Sequence, residues 1–338
     1  MMTYTIEKTN TKIIPLEVPA PNTLKSINFY LLQKNDRTFL IDAGLDKDTY
    51  WEYLQQSMQA NGIRFRDLTA ILLTHHHFDH VGLVHRISKE YDTPVYIHPY
   101  ALPKIKGDPE FLYKNYTFFA DLLNKLNTGE FGAEQVKARY KRQMNNPKTA
   151  LNWNVKAIES STLFDFEVIE IPGHAPDQVA FYLPEESIIF IGDLLIDHLR
   201  SNAFVEPALD GTRIPALTQH VASLEKIIEL NPETALSGHG KVIYEPAKLA
   251  KRRLDAIEAK AKSIKSIIEA GITTGREIVK KRHPNKYEDI FFTLMSDTLS
   301  FLDYLETKGQ LTKKEKNGIW HWDTGSENLS QKHYGKWQ

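Results

Sequence analysis

Apolar and polar positions along this chain follow two rhythms. Short runs dense in aliphatic and aromatic residues, at 26–33 and 37–41, flank Lys34-Asn35-Asp36 and predict two strands joined by a turn, within an N-terminal stretch (2–42) that reads as short strands. Comparable runs at 71–73, 94–98, 166–171, 178–183, 187–191 and 234–236 predict further strands, with Pro184-Glu185-Glu186 as another turn. Between them the period lengthens. Trp51, Leu54 and Met58 share one face of a helix predicted over 48–61, with Gly62 at its C-cap. Helical patterns recur at 111–126, 134–144, 215–230, 248–269 and 287–307. Strands mixed with helices place the chain in the α/β class.

The last ninety residues change character. Thr274-Gly275-Arg276-Glu277 has the spacing of a capping box that opens a short helix ending near Lys281. Runs at 311–315 and 319–322 flank Lys316-Asn317-Gly318, a strong hairpin turn. Three helices and a hairpin predict a winged-helix-like domain over 246–338, leaving 1–245 as a larger domain that holds the chemistry-bearing residues described below. This C-terminal part carries 18 Lys and Arg against 12 Asp and Glu, whereas the whole chain of 338 residues has a net charge of −1. Its basic residues (Lys280, Lys281, Arg282, Lys313, Lys314, Lys316) leave a nucleic-acid partner as an alternative rather than the first expectation. The near-neutral whole chain favours neither nucleic acid nor a membrane.

There is no cysteine, which excludes disulfides, thiolate ligands and a cysteine nucleophile, and which suits a cytoplasmic setting. The first ten residues show no apolar signal-peptide core, and no apolar run approaches 18 residues, so neither export nor a membrane span is expected.

The densest chemistry follows the run at 71–73. There the chain reads His75-x-His77-x-Asp79-His80, and a helical pattern (Leu83, Val84, Ile87) leads away. Strand, ligand-rich turn and helix in that order set imidazoles and a carboxylate at the C-terminal edge of a sheet. Imidazole with carboxylate is the ligand set of zinc and similar first-row metals. Three more sites leave apolar runs beside a glycine: Gly173-His174, Gly192-Asp193, and Gly238-His239-Gly240.

With these residues the chain resembles the metallo-β-lactamase-fold superfamily, whose signature is His-x-His-x-Asp-His followed by separate His, Asp and His ligands. The resemblance implies an αββα sandwich. It implies one metal at His75, His77 and His174, a second at Asp79, His80 and His239, and Asp193 bridging them. It also implies that Asp42, after the run at 37–41, lies beneath the metals and supports a ligand through its other ring nitrogen. Two Zn²⁺ per chain are expected, with Mn²⁺ and Fe²⁺ suited to the same donors. The reaction implied is attack by a metal-bridging hydroxide on a thioester or lactone, as in the glyoxalase II and lactonase neighbourhood, with Asp79 orienting the nucleophile and passing on a proton. A phosphodiesterase or endoribonuclease is the alternative, since the C-terminal arrangement looks like the β-lactamase-like protein 2 branch; a mono-iron dioxygenase is a minor third. His76 would face away from the metals, His98 would be structural, and His198 would be solvated or indirectly supporting. The substrate is expected to be a small molecule, its contacts unassigned, with self-association left open.

His80 and His174 are 94 positions apart, a longer gap than a bare fold of this kind needs. The insertion at about 100–160 is rich in Phe118, Phe119, Leu122 and Leu123, which must pack on something. It is expected to cap the metal site and shape the substrate pocket, as does the long loop at 194–213.

Overall fold

The computed structural model describes residues 4–8, 10–20, 23–145 and 153–324. Its apolar runs assemble into two mixed sheets. The first contains β1 (Ile6–Lys8), β2 (Thr11–Pro19), β3 (Ser26–Lys34), β4 (Arg37–Ile41), β5 (Ala70–Leu72), β6 (Val95–Ile97) and β7 (Val155–Ala157), side by side in chain order. It is antiparallel from β1 to β4 and parallel from β4 to β7. The second contains β8 (Thr162–Leu163), β9 (Phe166–Glu170), β10 (Val179–Leu183), β11 (Ile188–Gly192), β12 (Thr234–Ser237) and β13 (Ile243–Tyr244), also in chain order. Only its β11–β12 pair is parallel.

Strands with almost no polar position have both faces buried, and successive side chains enter different cores. In β3, Tyr30 and Leu32 point between the sheets while Phe29 and Leu31 point outward. In β11, Ile188 and Phe190 point between the sheets while Ile189 and Ile191 point outward. The outer face of the first sheet is covered by α1 (Asp48–Ala60), through Leu54 and Met58, and by α3 (Val84–Glu90), which follows the one-turn α2 (Phe78–Val81). The result is a four-layer αββα sandwich.

The outer face of the second sheet meets a larger helical layer. It gathers α5 (Pro109–Lys125) and α6 (Gly129–Met144), which follow the short α4 (Leu102–Ile105), with α7 (Ala216–Leu230), α8 (Pro246–Glu269), α9 (Gly275–Arg282) and α10 (Phe291–Thr307). Leu122, Val136, Leu224, Ile257, Ile278, Leu302 and Trp322 belong to one continuous core with Ile189 and Ile191. The phenylalanines of the insertion thus find their partner in α10, where Phe292 lies 6.3 Å from Phe119. The last strands, β14 (Thr312–Lys316) and β15 (Ile319–Asp323), turn through Asn317 and Gly318, both left-handed as a two-residue hairpin of that type requires.

Two local readings need adjustment. Val155–Ala157, inside the stretch assigned to the insertion, is the edge strand β7 of the first sheet. Thr274 stands at the N-cap of α9, but without a reciprocal box: its hydroxyl donates to the Glu277 carboxylate at 2.7 Å rather than accepting from a helix N–H. The polar tail after Thr324 lies outside the described residues.

The two sheets are also tied by a buried charge pair at the end of β3. Lys34 Nζ and Thr11 Oγ1 each donate to Glu186 Oε1 at 2.5 Å, joining β2 and β3 to the turn between β10 and β11. Burial pushes the Glu186 carboxyl up, but the bonds from Lys34 and Thr11 outweigh it and hold the pKa below the usual range. A depressed carboxyl stabilises the fold above its unfolded pKa of about 4.3, and that contribution is lost as pH falls through the folded value. Lys34→Met, which strands the buried carboxylate, is expected to cost about 3 kcal/mol in urea unfolding at pH 7, with the deficit shrinking below about pH 4. Lys34→Met with Glu186→Leu together is expected to recover most of it.

Candidate metal centre

The strand exits of both sheets converge on one cluster. His75 and His77 leave β5, Asp79 and His80 lie on α2, His174 follows β9, Asp193 follows β11, and His239 follows β12. His75 Nε2 and His174 Nε2 each lie 3.0 Å from His77 Nδ1. Asp193 Oδ2 is 3.4 Å from His174 Nε2 and 3.0 Å from His239 Nε2, while its Oδ1 is 3.3 Å from His80 Nε2. Asp79 Oδ2 is 3.6 Å from His239 Nε2. The structure therefore brings all seven residues together, as two triads (His75, His77, His174 and Asp79, His80, His239) with Asp193 between them.

Backbone geometry makes this convergence possible. Gly238 lies so close to the cluster that a Cβ there would stand 2.3 Å from Asp193 Oδ1 and 2.5 Å from His80 Cε1. Gly192 adopts φ +51°, and a Cβ would sit 2.8 Å from Thr74 Oγ1. Only glycine fits either position without displacing the cluster.

Each imidazole but one is oriented from behind. Asp42, itself at φ 57°, accepts the Thr74 N–H through Oδ1 at 2.8 Å and the Thr74 hydroxyl through Oδ2 at 2.8 Å. The same Oδ2 accepts from His80 Nδ1 at 2.7 Å. Because the Thr74 proton goes to Asp42, the Thr74 oxygen is free to accept from His75 Nδ1 at 3.1 Å. His174 Nδ1 donates to the Asn202 carbonyl at 2.9 Å, and His239 Nδ1 to the Ser26 carbonyl at 2.8 Å. Assigned from this network, four rings carry their proton on Nδ1 and turn an Nε2 lone pair into the cluster.

These donors fit divalent metal ions. His77 Nδ1 stands 3.0 Å from Nε2 of both His75 and His174, so one shared cation would satisfy all three nitrogens. Tetrahedral zinc at its usual 2.0–2.1 Å from nitrogen sets its ligands roughly 3.3 Å apart. His80 Nε2 and Asp193 Oδ1 are buried, have no other hydrogen-bond partner and stand 3.3 Å apart, so each is left to the other or to a cation between them. Burial, reinforced by neighbouring imidazoles, pushes His75 and His77 well below the ordinary histidine pKa, in the neutral form that binds metal. Burial would raise Asp193, but His239 and His80 more than offset it and hold the carboxylate ionised. For His80, burial opposes charge, yet Asp193 and Asp42 drive its pKa well up: without metal, a proton takes the cation's place there.

The other histidines have different work. His76 is buried with Nδ1 2.6 Å from Asp177 Oδ1, and its Nε2 meets Lys104, away from the two triads. Lys104 in turn holds Glu206 at 2.9 Å. Burial raises the Glu206 pKa, but Lys104 and His76 outweigh it and bring it to about 2. His198 bonds Asp197 and the Thr23 carbonyl, tethering its loop. His98 accepts from the Tyr100 N–H and pairs with Glu170. The buried His220, pushed down to about 3 by burial and by His174 and Arg200 nearby, packs behind Gly173.

A cavity of about 430 Å³ opens on His77, Asp79, His174, Asp193 and His239. Its far wall comes from segments distant in sequence: Phe119 and Arg139 of the insertion, Leu199 to Glu206 of the long loop, and Phe292, Thr293 and Ser296 of α10. The insertion and the loop thus lie where a cap belongs. The contribution of α10 had no signal in the sequence beyond an apolar helix. A second cavity, about 570 Å³, shares His77, Phe78, Arg139 and Glu206 with the first.

The Asp42 arrangement sets a measurable expectation. Asp42→Asn, which weakens the hold on His80 and Thr74, is expected to reduce affinity for zinc by about 10–100-fold in calorimetric titration. An unchanged affinity would remove Asp42 from the account of the centre.

Comparisons with known proteins agree with this geometry. Residues 22–239 match the model of the Metallo-beta-lactamase superfamily. The chain is 28% identical over 309 residues to the "Probable metallo-hydrolase YqjP" of Bacillus subtilis, covering 90% of this chain and 95% of that one. It is 24% identical over 247 residues to the "Atrochrysone carboxyl ACP thioesterase" of Aspergillus fumigatus, covering 73% and 61%. The crystal structure of a metallo-beta-lactamase family protein from Thermus thermophilus superposes with a TM-score of 0.73 over 92% of this chain and 97% of that one, at 24% identity. With a family match across more than half its length and two metal-ligand triads joined by an aspartate, the chain belongs to the metallo-beta-lactamase superfamily and is a metal-dependent hydrolase.

Proposed function

We propose that this hydrolase cleaves an acyl ester-like bond, a thioester first and a lactone second, with zinc as its metal. The observation that carries this reading is the wall of the cavity over the metal centre. Phe119, Ile196, Leu199, Phe204 and Phe292 line it, and the Phe204 ring packs edge-on against His77 and His174. An apolar chamber of this size receives an acyl chain and leaves its carbonyl among the ligands. The Aspergillus relative is named for thioester cleavage, which favours the same ranking.

His75, His77 and His174 would hold one ion and Asp79, His80 and His239 the other, with Asp193 between. Bound there, two divalent ions supply a Lewis acid and make hydroxide available near neutral pH. The rest falls to the chain. Asp79, whose carboxylate faces the cavity, accepts a hydrogen bond from the attacking water and so sets its direction. As the water oxygen bonds to the acyl carbon and the carbon–sulfur bond breaks, Asp79 passes the water's proton to the departing sulfur. Phe204 and Phe119 exclude bulk water from the acyl side.

The phosphodiester alternative draws on the C-terminal segment, which we read as a winged-helix-like module. Part of its basic set is already engaged: Lys313 pairs with Glu306 at 3.0 Å, Arg282 donates to Ser263 at 3.0 Å, and Lys280 lies over the Tyr287 ring. The face of α10 that carries Phe292 and Ser296 is spent on the cavity wall. This favours a scaffolding role. None of the described helices is long and apolar enough to cross a membrane.

Zinc-loaded protein is expected to hydrolyse a short-chain thioester, and a lactone more slowly, with little turnover of a phosphodiester. Asp79→Asn is expected to lower kcat for the thioester by about 10²–10⁴-fold. Turnover of the phosphodiester alone would reverse the ranking.

A further inference from the structure

The two cavities meet at Arg139, which lines both. Its guanidinium lies 4.9 Å from the centre of the Phe119 ring and 5.1 Å from that of Phe292, gripped by aromatic faces from α5 and α10. Such a grip orients a cation without neutralising it. Among the described residues Arg139 makes no hydrogen bond and no ion pair. The other cations of these walls differ from it: Lys104 is bonded to Glu206 through both carboxylate oxygens, Arg200 lies 4.0 Å from Asp297 and over the Phe301 ring, and Lys47 is exposed. Glu206, the nearby acid, is thereby committed to Lys104 and His76.

Glu206 is near enough to attract the Arg139 guanidinium but makes no bond to it, so the partly buried donors are left to an anion that arrives with the ligand. Its planar fork suits a carboxylate or phosphate, which it binds through two parallel hydrogen bonds. Burial lowers the Arg139 pKa, and an entering anion relieves that penalty.

We propose that Arg139 is the binding site for an anionic group of the substrate, a carboxylate or phosphate at the end of the chain remote from the cleaved carbonyl. The substrate class is then an anionic acyl compound, rather than a neutral ester. This rests on the acyl-hydrolase reading for its chemistry, but the site itself stands on the unbonded, aromatic-held guanidinium at the junction of two cavities.

The test uses three thioesters of equal acyl length ending in a methyl, a carboxylate or a phosphate, with zinc-loaded wild type, Arg139→Gln and Arg139→Lys. Wild type is expected to favour one anionic thioester over the neutral one by about tenfold or more in kcat/KM, chiefly through KM, consistent with a charge-assisted bidentate contact. Whichever anion is favoured identifies the group. Arg139→Gln should bring the ratio close to one, and Arg139→Lys should restore part of it. In a separate binding arm, uncleavable thioethers ending in a methyl, a carboxylate or a phosphate are titrated into zinc-loaded protein; one anionic thioether is expected to bind better than the neutral one and to lose affinity about tenfold in Arg139→Gln. If no thioester is cleaved but that loss is seen, acyl hydrolysis fails and the anion site stands. A wild type without anionic preference in either arm, or an Arg139→Gln variant that keeps it, overturns the proposal.

Discussion

Five imidazoles and two carboxylates share a buried space in which neighbouring ligand atoms stand 3.0 to 3.6 Å apart. Without metal ions the charge balance there falls to protons: against the effect of burial, Asp193 drives His80 and His239 towards their charged forms, and those imidazoles in turn hold Asp193 ionised. The fold keeps the cluster together from outside. Asp42, just after β4, clamps Thr74, two residues beyond β5, and the back of His80, and main-chain carbonyls orient His174 and His239. The sandwich brings the strand ends of two sheets to one edge, so each ligand enters from a rigid strand or the turn that follows it. The arrangement that would satisfy the imidazole lone pairs is one with two metal ions beside an open cavity, the kind of centre a metal-dependent hydrolase uses.

The layers behind the centre explain the unusual length of the chain. A minimal αββα sandwich leaves the outer face of its second sheet to few helices. Here α5 and α6 from the insertion and α7 to α10 from the C-terminal half cover that face as one core. Because α10 runs past the long loop, Ser296 accepts the Val205 N–H at 2.6 Å and positions the loop that supplies Ser201, Asn202 and Phe204 to the site. The C-terminal segment therefore shapes the cavity whatever else it binds.

Much of the centre was legible because each ligand obeys a local rule: it leaves an apolar run, beside a glycine or inside a dense His-Asp turn. The central strands and most helices were legible for the same reason, their periods being set by burial on one or both faces. What lay beyond reach was set by tertiary packing. Phe119 belongs to the insertion expected over the metal site, but its pairing with Arg139 appears only when α10 is laid against them. Lys34 and Glu186 are 152 positions apart and meet only because two sheets stack. The edge strand β7 is three residues long and takes its identity from β6, which no local pattern announces. His76 was expected to face away from the metals, since a one-residue step along an extended turn reverses the side chain, but its Asp177–Lys104–Glu206 network joins residues distant in sequence and had no local signal.

The most direct test of the two-triad centre is a zinc-edge anomalous diffraction map from crystals grown with zinc. Two peaks are expected in the cluster, one within bonding distance of His75 Nε2, His77 Nδ1 and His174 Nε2, the other of Asp79, His80 Nε2 and His239 Nε2, both beside Asp193. A single peak, or a peak against His76 and Glu206 in place of these, would contradict the account.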